Sequence, residues 1–201
     1  IPRHHARRTL PESSTPTFLL MKKKYIVLGV GGSIACYKAA DLTSRLAQDG
    51  FEVHVVMTHS ATEFVAPITF QTLSRNPVTT GIFDEKESWH PGHIALADKA
   101  DLLLIAPATA NLVAKLACGI ADDALTSIAL ATRAPLVIAP AMNGKMWHHP
   151  ATQENVERLK SRGALFIGPA EGLLACGYEG TGRLWEVPGI VEEVKKLLAA
   201  G

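Results

Sequence analysis

With 20 Lys and Arg against 19 Asp and Glu in 201 residues, the chain has a formal net charge of +1 and no bulk field to draw it to a nucleic acid or an anionic membrane. Its 47% apolar content suits one domain with a sizeable core, and no apolar run reaches membrane-spanning length. Cys36, Cys118 and Cys176 are too few and too scattered for a disulfide framework or a zinc site, which fits a reducing cytoplasm.

Residues 1–20 stand apart. They combine Arg3, Arg7 and Arg8 with one acid, Glu12, and a Ser-Ser-Thr-Pro-Thr run, without sustained periodicity. They lack the continuous apolar region of a secretory signal. The expectation is a disordered leader or tag, with Met21 as the natural start and residues 21–201 as one domain.

Residues 25–30 form a short β-branched run, the pattern of a buried parallel strand. Gly31-Gly32-Ser33 follows, and residues 34–46 have apolar positions at helical spacing. Strand, Gly-rich turn and helix make a corner suited to a phosphate: glycines let the backbone approach an anion, and the helix start offers free N–H groups. Ser33 can add a hydroxyl donor. The turn lacks the last glycine of a dinucleotide fingerprint and the Gly-Lys-Ser/Thr of a Walker loop. Gly50 reads as a C-cap.

Residues 51–57 predict a second strand, with Thr58-His59-Ser60 at its carboxyl end. An acid there would select an adenosine ribose; these side chains suit a phosphate or a flavin's polar chain better, and Thr58 or Ser60 can also cap the next helix. Residues 61–73 predict a helix broken at Pro67. Residues 93–100 predict a short helix that places His93 in its first turn, where the dipole keeps an imidazole available as a base. His90 competes with it by composition.

Residues 101–106 predict a buried strand ended by Pro107-Ala108-Thr109-Ala110-Asn111, before a helix over 112–117. This repeats the anion-binding corner. Asp122 or Asp123 caps a helix over 124–132. Residues 134–139 form another strand, and Pro140 to Pro150 then place an amide, two thioethers, an indole and two imidazoles on a loop at its carboxyl end. Ligands of open α/β sheets bind there. A helix over 152–162, a strand over 164–167 and a helix over 188–200 complete the regular elements. Residues 168–183 hold five glycines in sixteen positions, read as a lid-like loop without stable regular structure, with Cys176 inside it as a functional thiol.

These motifs together resemble one family. Gly31-Gly32-Ser33-Ile34-Ala35, His93-Ile94, Ala106-Pro107-Ala108-Thr109-Ala110-Asn111, Gly119-Ile120-Ala121-Asp122-Asp123, Pro140-Ala141-Met142-Asn143-Gly144-Lys145-Met146-Trp147 and Ala175-Cys176-Gly177 are similar to the signatures of the phosphopantothenoylcysteine decarboxylases, flavin-dependent enzymes often fused to a ligase in bacteria. The resemblance implies a flavodoxin-like α/β fold with an open parallel sheet, FMN as cofactor, and a trimer-based homo-oligomer. It implies that Gly32, Ser33, Ile34, Thr58, Ser60, Thr109, Ala110, Asn111 and Ala141 line the FMN. Asn143, with Met146, Leu173 and Ala175, would bind substrate, Asn143 by holding the substrate's carboxylate. His93 and Cys176 would be catalytic.

The implied reaction oxidises the substrate's C–S bond to a thioaldehyde, loses CO2, and re-reduces the enethiol with Cys176 as proton donor, without net redox change. Cys36 departs from the family's usual alanine. A peptidyl-cysteine decarboxylase shares the Met-Asn signature, and a silent regulatory subunit that keeps the flavin fold is a second alternative. No metal is implied.

Overall fold

The computed structural model describes residues 23–82 and 92–200. The leader and His90 lie outside them. Five parallel strands, β1 (Tyr25–Val30), β2 (Glu52–Met57), β3 (Leu102–Ala108), β4 (Leu136–Pro140) and β5 (Leu165–Phe166), form a sheet of order β2-β1-β3-β4-β5. This is the flavodoxin-like order, with its topological switch between β1 and β3. All residues of β3 are buried, as a central parallel strand covered on both faces requires.

Helices α1 (Cys36–Gln48), α2 (His59–Thr62), α3 (Pro67–Ser74), α4 (Gly92–Lys99), α5 (Ala110–Cys118), α6 (Ala124–Ala131), α7 (Gly144–Trp147), α8 (Pro150–Ser161) and α9 (Val187–Ala200) connect and cover the strands. Alternate side chains of each strand point to opposite faces. One core joins Ile26, Leu28 and Leu104 to α1, α3 and α9 through Leu42, Phe70 and Ile190. The other joins Val27, Leu103 and Ile105 to α4, α5, α6 and α8 through Ala97, Val113, Leu125 and Val156. Cys36 is buried in the first core, and its thiol donates to Gly31 O at 3.0 Å. Burial pushes that thiol's pKa up.

Three expectations need correction. Pro107 does not end the third strand, which runs on to Ala108; the register shifts between Ile105 and Ala108, where a residue without an N–H fits. The segment between Pro140 and Pro150 is not all loop, because α7 makes one helical turn inside it. The glycine-rich segment is regular after all: β6 (Ala170–Leu173) and β7 (Glu179–Arg183) form an antiparallel hairpin. Gly172 and Gly182 serve close approach. Gly182 has φ 154°, and a Cβ on it would lie 2.3 Å from Met142 O. Tertiary contact therefore overrides the low strand propensity of glycine.

At the N-terminal end of the sheet, Tyr25 stacks on His54 with ring centroids 4.4 Å apart. Burial lowers the His54 pKa, outweighing the opposite pull of Glu52. A histidine whose folded pKa is depressed stabilises the fold above its unfolded value of about 6.5, and loses that contribution as pH falls toward the lower folded value. Stability against urea is therefore expected to decline below about pH 6.5, more steeply for the wild type than for His54→Phe; parallel pH profiles would refute this.

Candidate active site

Two adjoining cavities open at the carboxyl ends of β1, β3 and β4. The first, of about 470 Å3, is lined by Gly32, Ser33, Thr58, Ser60, Thr109, Ala110, Asn111 and Ala141, with Met146 also on its wall. Every residue expected at the flavin lies here except Ile34, which lines the neighbouring cavity. Thr58 and Thr109 each cap a helix, accepting from Ala61 N and Leu112 N at 3.3 Å. Capping accounts for a lone pair on each hydroxyl and leaves its proton to donate. Ser33 Oγ likewise accepts from Ala35 N at 3.3 Å.

The cradle depends on missing side chains. A Cβ on Gly32 would lie 2.4 Å from Ser60 Cβ, and one on Gly31 would lie 2.6 Å from Pro107 O. The three strand-to-helix connections thus converge on one spot, presenting hydroxyls and N–H groups. That donor set fits a phosphate and a polyol chain. Lys115, Asp122 and Asp123 also lie on this wall, the lysine paired with Asp122 at 2.7 Å and with Asp123 at 3.7 Å, so the two carboxylates there face a cation. The hydrogen bond from Lys115 holds the Asp122 carboxyl below the usual carboxylate range. Asp123, not Asp122, caps α6, in a capping box with Thr126.

The second cavity, of about 630 Å3, shares Ser33, Ala141 and Met142 with the first. Asn143, Leu173, Ala175 and Cys176 line it. Asn143 follows β4 and caps α7, with Oδ1 accepting from Lys145 N at 2.8 Å and from Tyr178 Oη at 2.8 Å. Its Nδ2 donates to Cys176 Sγ at 3.2 Å. The Lys145 N–H can only meet an oxygen, so the amide's orientation is set: acceptor toward the backbone, donors toward the cavity. Cys176 is exposed in the hairpin turn, where Gly177 N donates to Leu174 O at 2.9 Å. Sequence reasoning missed Tyr178, whose bond to Asn143 spans 35 positions and leaves no local signal.

His93 is placed elsewhere. It sits in the first turn of α4 and lines a cavity of about 230 Å3 with Pro77, Val78, Thr79, Gly81, Ile82 and Gly92. That cavity shares no lining residue with the other two. His93 Nδ1 is buried and lacks a hydrogen-bond partner among the described residues. Within one copy, then, His93 is not brought together with Asn143 and Cys176.

A model of the flavoprotein family matches residues 15–199. The chain is 51% identical over 180 residues to the coenzyme A biosynthesis bifunctional protein CoaBC of Bacillus subtilis, covering 90% of this chain and 44% of that one. The chain thus spans less than half the length of this bifunctional relative. It is 46% identical over 177 residues to the "Probable phosphopantothenoylcysteine decarboxylase" of Streptococcus mutans, covering 87% of this chain and 99% of that one.

Among solved structures, it resembles a PPC decarboxylase mutant complexed with pantothenoylaminoethenethiol (TM-score 0.79, 33% identity, 87% of this chain and 98% of that one). It also resembles the FMN-dependent cysteine decarboxylase SpaF (TM-score 0.77, 34% identity, 88% and 97%). With a family model over nearly the whole chain and a relative matched along its full length, the chain belongs to the flavoprotein family, within the group of the phosphopantothenoylcysteine decarboxylases.

Proposed function

We propose that the chain decarboxylates 4′-phosphopantothenoylcysteine to 4′-phosphopantetheine, a cytoplasmic step of coenzyme A synthesis, with FMN in the smaller of the two adjoining cavities. The observation that carries this reading is the Asn143–Cys176–Tyr178 cluster beside a cradle of hydroxyls and backbone N–H groups whose two acids, Asp122 and Asp123, are paired with Lys115. Gly32, Ser33, Thr58, Ser60, Thr109, Ala110, Asn111 and Ala141 would hold FMN, with Ile34 between it and the substrate cavity. FMN supplies, when bound, a reversible two-electron acceptor, so that CO2 can leave without net redox change.

The protein's own groups do the rest. Asn143 Nδ2 donates to the substrate carboxylate and orients it. Tyr178 keeps the Asn143 amide from rotating. Leu173, Ala175 and Met146 cover the reacting end and exclude water. Cys176 Sγ donates the last proton to carbon. Mass spectrometry of the substrate after incubation with the FMN-loaded protein tests the reading: loss of CO2 supports it, and unchanged substrate refutes it. The likeness to SpaF, an FMN-dependent cysteine decarboxylase, is not specific to a phosphorylated substrate, so a cysteine-ending peptide is the second reading, tested by adding such a peptide to the same assay.

Two further results are expected. Cys176→Ser should still release CO2 while the unsaturated thiol accumulates, because a hydroxyl is a far weaker acid than a thiol; normal product would remove Cys176 from the role. Gly32→Ala should lower flavin content about tenfold or more, since the added methyl meets the Ser60 backbone at 2.8 Å and displaces the cradle. Absorbance of the purified variant near the flavin band reads this, and full occupancy would refute it.

Homo-oligomerisation belongs to the same reading. The separation of His93 from Asn143 and Cys176 supports an assembly in which one copy supplies His93 and another the hairpin. No helix among the described residues is long and apolar enough to cross a membrane.

A further inference from the structure

The substrate cavity has a second charged feature that the decarboxylation does not use. Lys38, in the first turn of α1, and Arg183, the last residue of β7, both line it. The two cations come from different elements and converge on one carboxylate. Lys38 Nζ lies 3.6 Å from Glu186 Oε2, and Arg183 Nη2 bonds Glu186 Oε1. Glu186 itself does not line the cavity and is the most exposed of the three, with 61% of its side chain accessible.

Arg183 is held in place by the hairpin. Gly172 has φ 140°, and a Cβ there would lie 2.8 Å from Arg183 Nη1, so a missing side chain makes room for the guanidinium. Arg183 stands at the base of the hairpin, paired with Ala170, and Cys176 in its turn. From Glu179 to Arg183 the extended strand covers about 13 Å at ~3.3 Å per residue. The cations and the reacting groups are therefore set apart along one cavity, with Ile34, Leu174 and Leu184 also on its walls.

Resting on the reading of the site given above, we propose that Lys38 and Arg183 form the subsite for the terminal phosphate of the substrate, which displaces the Glu186 carboxylate. A phosphate dianion carries more charge than a carboxylate and offers three acceptor oxygens, matching a guanidinium fork and an ammonium together. Glu186 holds the two like charges in place until the phosphate arrives. This anion site is distinct from the cradle around Gly32, Thr58 and Thr109, which line the other cavity only.

Calorimetric titration of the FMN-loaded protein with 4′-phosphopantetheine and with pantetheine tests the subsite. Wild type is expected to prefer the phosphorylated ligand by about 10–100-fold, the worth of charge-assisted hydrogen bonds. Lys38→Gln and Arg183→Gln should each cut that ratio about tenfold, Arg183→Lys should restore part of it, and Glu186→Gln should raise it. Because the readout is a ratio, a general weakening of the hairpin does not mimic the result. A wild-type ratio near one, or ratios unchanged in the cation variants, would overturn the subsite even in an active decarboxylase. A clear wild-type preference that falls in the cation variants, without turnover of phosphopantothenoylcysteine, would support the subsite and overturn the decarboxylase reading.

Discussion

Replacing His93 by asparagine is expected to lower turnover by about 10²–10⁴-fold, the usual contribution of a positioned acid–base group, while FMN content stays at the wild-type level. The argument begins with a cost. A buried ring nitrogen without a partner is destabilising by about 1–3 kcal/mol, and such an atom in a folded protein calls for an explanation. Among the described residues, His93 Nδ1 is such an atom. Asparagine keeps a polar group near that position but cannot accept and return a proton as imidazole does.

A second measurement separates the chemical role from the assembly. Co-expressed His93→Asn and Cys176→Ser chains should regain activity, because a site shared between copies takes a wild-type histidine from one and a wild-type thiol from the other. Random pairing makes roughly a quarter of interfaces competent. No recovery in a proven mixed oligomer would place His93 and Cys176 of one copy in the same site, against the separation of their cavities.

Asn143→Asp is expected to cost about 10²–10³-fold in kcat/KM for a carboxylate substrate, with most of the loss in KM. The substitution is nearly isosteric. The carboxylate can still accept from Lys145 N and Tyr178 Oη, so α7 keeps its cap and the fold keeps its stability. What changes is the atom facing the cavity. Nδ2, a donor to Cys176 Sγ, becomes a second carboxylate oxygen, and a substrate carboxylate then meets repulsion where it found a hydrogen bond. Asn143→Ala should lose the cap as well. Comparing melting temperatures of the two variants tells apart binding from folding, and a fully active Asn143→Asp would exclude Asn143 as the carboxylate anchor.

The parallel sheet and most of its helices were legible in the residues alone. Apolar runs such as residues 101–106 have no stable place except a strand covered on both faces, and the Gly-Gly-Ser and Thr-Ala-Asn turns must lie at the carboxyl edge once those strands are parallel. Strand-to-helix corners are local, so Gly32, Thr58 and Thr109 were legible as one cradle. The hairpin was not. Gly172 and Gly182 read as breakers because nothing nearby in sequence reveals that Arg183 and Met142 O occupy the space a side chain would take. Tyr178 escaped for the same reason: its bond to Asn143 spans 35 positions. The ion pairs of Lys38 and Arg183 with Glu186, and the absence of any lining residue common to the His93 cavity and the other two, depend on how separate elements pack. Local propensity and periodicity hold no information about such long-range contacts, so only the tertiary structure could decide them.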